Sequence, residues 1–434
     1  MINKTITNIR KAIFLFPFLF LILSYNTGFA QSNSTTSPYT QFGYGQIADQ
    51  SFGSQRAMGG IGYGLRNSKM INTLNPASFS SVDSMTFMLD LAVKGETGRL
   101  KEGNNKANRR TASFEYIAIQ FPLVKSLGMG IGLAPVSHVG YQFQSLQRID
   151  QYEEEAYVNY TGKGGLKKIY TTLSYSLFDR FAIGVNVGYL FGDIIKESSS
   201  FPNVPNSHRL VWNDTLRTGG LTYEAGIQYS IPLKNKHKDE LVLGAVYSPK
   251  ISPDSKKRSG KLSYTGGSVT GNPETSVSKV DFHLPETFGG GVTLNRPDKF
   301  TAGADFQYQK WSDTRYDKLF TNGNLSDRFK INAGAEYIPN HTGNLLNRIR
   351  YRAGGYYTNS YIKVDDKYGY KDYGVTLGFG IPLVDRRSFV NLTFEYNIIS
   401  PEKRPEVTMI NEQYFRFIFS YTFNELWFFK RKLQ

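Results

Sequence analysis

The sequence predicts an all-β fold, a transmembrane antiparallel β-barrel of about 14 strands with an N-terminal plug inside its lumen. Two observations carry that prediction: a two-residue rhythm of apolar and polar side chains over most of the chain, and a secretory leader ahead of it. In 181–191, Phe181, Ile183, Val185, Val187, Tyr189 and Phe191 share one face, against Ala182, Gly184, Asn186 and Gly188. Segment 221–231 repeats the pattern, and in 415–423 Phe415, Phe417, Phe419, Tyr421 and Phe423 oppose Arg416, Ser420 and Thr422. Side chains alternate across a strand, so each segment has a greasy face and a wet face. A soluble sandwich buries its apolar faces on each other, but so many long alternating segments exceed what one sandwich uses.

The leader comes first in the chain. Lys4, Arg10 and Lys11 precede a continuous apolar stretch from Ala12 to Leu23, and Gly28 and Ala30 supply small residues before a cut. This is the pattern of a signal peptide cleaved after Ala30, and the stretch is too short for a spanning helix. The chain has no cysteine, which excludes disulfides, thiol chemistry and a cysteine-borne lipid anchor. Its 42 glycines, 29 tyrosines and 31 phenylalanines suit aromatic, turn-rich β structure.

Residues 84–434 form the barrel, with strands expected at 84–95, 113–122, 128–137, 168–178, 181–192, 220–232, 240–249, 286–295, 299–311, 328–338, 348–358, 372–382, 388–398 and 413–423. Connections after even-numbered strands run from 2 to 9 residues and those after odd-numbered strands from 13 to 36. Two sets that do not overlap match short periplasmic turns alternating with long outer loops, which places both termini in the periplasm. Residues 31–83 are rich in Gly, Ser and Asn and lack a sustained period. Irregular chain of that length is usually functional or disordered, and here it is read as a plug hydrogen-bonded to the lumen wall.

Several motifs carry a family resemblance. Asn75-Pro76-Ala77 ahead of the first strand, Leu284-Pro285-Glu286-Thr287-Phe288, Trp311-Ser312 and Gly334-Ala335-Glu336-Tyr337 stand in the order seen in the FadL family of outer-membrane transporters. The opening SPYTQFGYG with RAMGG, and the terminal YFRFIFSYTFNELWFFKRK, resemble its Bacteroidota-type branch. The resemblance covers most of residues 55–400. It implies a hatch at Asn75, Pro76 and Ala77, and passive transport of long-chain fatty-acid-like hydrophobic compounds. That branch also includes non-transporting subunits of secretion or protein-assembly complexes, the alternative function.

The third strand carries Gly128, Gly130, Gly132 and Pro135. Glycine weakens a strand and proline cannot donate to the ladder, so its pairing should be broken locally. Either a side gap opens there, as the resemblance implies, or the glycines make room for the plug. Asp305, Glu336, Arg350, Arg352, Glu395 and Arg416 fall on the polar phase of their strands and should line the lumen. Arg or Lys facing lipid at midplane would cost roughly 2–4 kcal/mol. Ion pairs bracing plug and wall are one role for these groups; a carboxylate seat on Arg350 and Arg352 is another, since a guanidinium fork matches a carboxylate.

Enzyme chemistry finds no support. His138, His208, His237, His283 and His341 are scattered without zinc spacing. No nucleophile elbow or P-loop is present, and Gly59, Gly60, Gly62 and Gly64 lack the strand-then-helix context of a phosphate loop. Glu153, Glu154 and Glu155 read as solvated charge in an outer loop, so neither metal nor cofactor is expected. An outer-membrane lipid hydrolase would need a Ser/His pair assembled across strands, for which no motif speaks. The net charge of +15 falls to +12 once Lys4, Arg10 and Lys11 leave with the leader. The remaining cations gather in expected loops: Lys94, Arg99, Lys101, Lys106, Arg109 and Arg110 in one, Lys256, Lys257 and Arg258 in another. Outer-leaflet glycolipid, membrane lipid, a hydrophobic small molecule and an envelope protein complex are the partners this implies; nucleic acid is not.

Overall fold

The computed structural model describes residues 34–149, 154–178, 180–202, 208–265, 268–315, 323–364, 369–402 and 409–427. The leader, residues 31–33 and Glu153 lie outside the described residues. Fourteen strands build the wall: β1 (Thr86–Glu102), β2 (Asn105–Val124), β3 (Leu127–Pro135), β4 (Glu154–Leu177), β5 (Phe181–Pro202), β6 (Arg209–Pro232), β7 (Glu240–Ser248), β8 (Glu286–Arg296), β9 (Phe300–Lys310), β10 (Arg328–Tyr337), β11 (Arg350–Asn359), β12 (Tyr370–Pro382), β13 (Phe389–Pro401) and β14 (Asn411–Leu426). Each pairs antiparallel with the next. The last strand returns to the first, from Thr86↔Leu426 to Lys101↔Asn411, and closes the barrel. Every expected strand coincides with one of the fourteen.

Closure leaves the fourteen-strand wall without a free edge, so most of its backbone polar groups find a ladder partner without water. The side-chain phase follows the sequence. Ile183, Val185, Val187 and Tyr189 on β5, Leu221 and Tyr223 on β6, and Phe415 and Phe417 on β14 are exposed, whereas Asn186, Gln228 and Arg416 are buried. The barrel is thus inverted relative to a soluble protein, with an apolar outer band and a polar interior. No helix among the described residues is long and apolar enough to cross a membrane. At one end the strands meet in tight turns, helped by left-handed backbone at Ser126, Phe178, Lys238, Asp298 and Arg386.

The opposite end corrects the sequence reading. The stretches expected as long loops are largely strand. β4, β5 and β6 run 24, 22 and 24 residues, where about 9–11 suffice to cross a membrane. Strand Ser137–Ile149 adds to β4, and a hairpin of Asp254–Thr265 and Ser268–Lys279 adds to β6. Likewise β1 and β2 stay paired as far as Glu102↔Asn105. The β1–β2 extension escapes detection because it is wet on both faces, with Lys101, Lys106, Arg109 and Arg110 all exposed. The β4–β6 extensions instead reverse the phase of the wall and bury Leu166, Ile194 and Leu216 on their inner face. Ladder hydrogen bonds hold them, and such bonds leave no hydropathy period. Lys94 is also corrected, since it is buried against Glu115 (3.1 Å) and is not part of a solvated basic loop.

Candidate lumen site

Residues 34–83 run along the inward faces of the wall. Asn75 caps a short 3-10 helix, Pro76–Ser81, by accepting from Ala77 N, and proline follows the cap where a missing N–H costs nothing. The Asn75 amide donates to Tyr63 O (2.8 Å) and to Ile227 O of β6 (3.0 Å). Ser174 Oγ of β4 donates to Ala77 O. Gly184 and Gly226 face this turn, and a Cβ on either would strike Pro76 or Asn75. The Asn-Pro-Ala motif is therefore seated between β4, β5 and β6 by two absent side chains and three hydrogen bonds to its neighbours. Elsewhere Gly59 N donates to Thr376 Oγ1 of β12, and Gly62 N and Tyr63 N both donate to Asp305 Oδ2 of β9 (2.6 and 2.9 Å).

The six charged positions expected to face inward are all buried. Glu336 receives Arg350 Nη1 at 3.0 Å and Arg352 Nε at 2.7 Å, and Arg352 Nη1 also donates to Asn391 Oδ1. Both guanidinium forks are thus engaged by a carboxylate of the wall itself. Glu395 and Arg416 belong to a second cluster that reaches the N-terminal segment. Arg56 Nε lies 2.9 Å from Glu395 Oε2, and Arg416 bridges Glu395 Oε1 and Glu96 Oε2, each at 2.6 Å. Asp305 serves as a backbone acceptor, as described above. Lys330 pairs with Asp49 at 2.7 Å, a further tie between segment and wall.

Sequence reasoning missed Arg56, Asp49, Lys330, Glu96 and Glu115. Lys330 and Glu96 lie on strands and could have been phased; Arg56 and Asp49 lie in aperiodic chain, where no signal says which way a side chain points. No group of residues suited to a metal occurs among the described residues.

β3 differs from expectation in where its pairing fails. Gly128, Gly130 and Gly132 sit in an unbroken ladder with β2 and β4. Their lack of a side chain makes room: a Cβ on Gly128 or Gly130 would strike Phe79, and one on Gly132 would strike Tyr170. The break falls at Pro135. Pairing with β2 ends at Ile117↔Leu133, whereas pairing with β4 continues to Pro135↔Lys167. The chain bends at Val136 and resumes as Ser137–Ile149. On the side that β2 vacates, the N-terminal segment takes over. Gln46 and Ile47 pair with His138 and Ser137, Ala48 N donates to Val136 O (3.0 Å), and Gln50 Nε2 donates to Pro135 O (2.8 Å).

Cavities of about 100, 150 and 40 Å³ lie in the lumen among the described residues. Gln50 and Gln307 line all three, and each reaches the bend: the first at His138, the second at Val136 and Ser137, the third at Ala134. The first is charged, with Arg56, Glu115, Lys330 and Asp372 on its walls. The second is the most apolar, with Tyr44, Leu166, Leu190, Ile251, Leu284 and Trp311.

Solved structures share this architecture at low identity. The CymD monoaromatic hydrocarbon channel superimposes with a TM-score of 0.59 at 14% identity, over 88% of this chain and 98% of its own. The toluene transporter TodX of P. putida gives 0.59 at 17%, over 88% and 100%. A FadL homologue of Pseudomonas aeruginosa gives 0.58 at 11%, over 88% and 99%. No curated protein matches the sequence. The fold is therefore that of the FadL-type barrels, as the motif order implied. A family model described as BamG matches residues 9–434, and on that match the chain belongs to the BamG family.

Proposed function

We propose that the protein is an outer-membrane barrel that admits a hydrophobic compound passively, with residues 34–83 as a plug and the bend of β3 as a side exit. One observation carries this reading: the backbone that β2 leaves unpaired at Pro135 and Val136 is satisfied by Ala48 and Gln50 of the plug. Withdrawing the plug strips partners from the only stretch of β3 already released by β2, so displacement and opening are one movement. Unsatisfied backbone groups facing lipid are costly, which keeps the exit shut until substrate arrives. The most apolar cavity abuts that bend. The leader 1–30 directs export, the tight turns face the periplasm with both termini, and the strand extensions face outward. No catalytic role is assigned.

The absence of cysteine from the sequence permits a clean test. Ile47 of the plug and Ser137 just past the bend are partners across antiparallel strands, a separation that a disulfide can span. Oxidising an Ile47→Cys/Ser137→Cys variant should block uptake of labelled toluene and oleate by intact cells, and reductant should restore it. Unchanged uptake with the plug locked overturns the reading.

A second reading, a non-transporting subunit of a secretion or protein-assembly complex, is favoured by the buried ion pairs that anchor the plug through Arg56 and Asp49. Gentle purification followed by native mass spectrometry separates the two. A lone barrel carrying a lipophile supports transport; a stoichiometric complex with an empty lumen supports the subunit, with the plug as a permanent cork.

A further inference from the structure

We infer that the strand extensions of β4 and β6, together with hairpin strand 254–265, form a seat for the phosphate groups of a membrane glycolipid. The pairing registers fix which residues share a face. Tyr189 of β5 opposes Ile169 of β4 and Leu221 of β6, and all three are exposed in the apolar band. Moving outward along the same face, Lys167 opposes Phe191; then Asp193, Arg217 and Lys256 align; then Lys163, Ile195, Thr215 and Arg258. Lys279 lies opposite Lys256 on the next strand. Six cations therefore stand immediately above the lipid-facing band, accompanied on that face by Asp193, Asp254 and, one row farther out, the exposed Glu197.

Asp193 and Asp254 are taken, which leaves four cations against Glu197. Arg217 grips Asp193 with both ends of its fork, at 2.9 and 2.8 Å, and Lys279 lies 3.8 Å from Asp254. Lys163, Lys167, Lys256 and Arg258 are exposed and make no ion pair among the described residues. Strands lie about 4.8 Å apart and rise about 3.3 Å per residue, so these four groups span a patch roughly 14 Å on a side. Uncompensated cations at the level where an apolar wall meets water attract anionic headgroups, and several guanidinium and ammonium groups suit phosphate oxygens. The acyl chains of the same molecule would lie on Ile169, Tyr189 and Leu221. Continuity of charge with the lipid-facing band favours a lipid over a soluble acidic protein. The inference rests on the membrane reading above for its leaflet, and its failure would leave the plug-locking result untouched.

The test titrates the detergent-solubilised full chain with diphosphoryl lipid A, read by native mass spectrometry, with dephosphorylated lipid A and inorganic pyrophosphate as parallel probes. The parent should bind the diphosphoryl form selectively. A Lys163→Gln/Lys167→Gln/Lys256→Gln/Arg258→Gln variant should lose affinity by about a thousandfold. A Lys101→Gln/Lys106→Gln/Arg109→Gln/Arg110→Gln variant, altered on the β1–β2 extension, should keep it. A Lys163→Arg/Lys167→Arg/Lys256→Arg variant, which keeps the charge, should also bind and shows that folding is not the cause of loss. Equal binding by both glutamine variants overturns the proposal. So does pyrophosphate binding as tight as lipid A, or retention of an acidic protein by the patch in place of lipid.

Discussion

Two buried ion-pair clusters use the same residue types and do different work. Glu336, Arg350 and Arg352 sit on adjacent strands β10 and β11, and their partner Asn391 is also in the wall. Arg56, Glu395, Arg416 and Glu96 tie the N-terminal segment to strands β13, β14 and β1. Both satisfy charges that could not face lipid. The first braces strands already held by ladder hydrogen bonds; the second holds a segment with little ladder of its own. Breaking a buried pair from one side is expensive because the other charge stays behind. The place where that cost appears should therefore differ between the clusters.

The largest effect is expected for Glu395→Gln, which strips the shared carboxylate from Arg56 and Arg416. It should weaken docking of residues 34–83 by about 3–5 kcal/mol, seen as faster amide exchange over residues 53–60 while the barrel keeps its heat-resistant mobility. Glu336→Gln should cost about 3 kcal/mol but lower the thermal midpoint of the wall, with exchange at 53–60 unchanged. Arg352 keeps Asn391, and Arg350 keeps its stacking over Phe389 at 4.6 Å. If the two variants give the same exchange pattern, the division between bracing and tethering fails. Asn75→Ala removes a helix cap and two donated hydrogen bonds, and should loosen residues 75–81 by about 1–2 kcal/mol.

The most local effect is set by pH. Beyond the apolar band, Glu412 accepts from Ser37 Oγ (2.9 Å) and Tyr414 OH (2.8 Å), and burial pushes its carboxyl up to about 8 from 4.5. A carboxyl raised on folding contributes most below its ordinary value, and that contribution is lost as pH rises through the folded one. Docking of residues 37–41 should weaken between about pH 5 and 8, and amide exchange there, corrected for its intrinsic pH dependence, should rise. A Glu412→Gln variant should flatten the profile.

The wall was legible because every spanning strand must put apolar groups outward and polar groups inward, and that constraint is written two residues at a time. For the same reason Asp305, Glu336, Arg350, Arg352, Glu395 and Arg416 could be placed in the lumen from their phase alone. Phase does not name a partner. That Glu336 would occupy both arginines, or that Glu395 would reach Arg56 more than three hundred positions away, depends on which strands closure brings together. The glycines of β3 show the same limit: composition marked the strand as unusual, but only the position of Phe79 shows what their missing side chains accommodate, and only the register shows that pairing fails at Pro135. The sequence by itself determined the barrel, its strand count and the inward charges, because these follow from local alternation in a solvent that is apolar outside and wet within. Tertiary structure decided the strand extensions, because that of β1–β2 is wet on both faces and those of β4–β6 put apolar groups inward, against the phase of the spanning wall. It also decided the path of residues 34–83, most of whose fixed points are hydrogen bonds and ion pairs to chain far away in sequence.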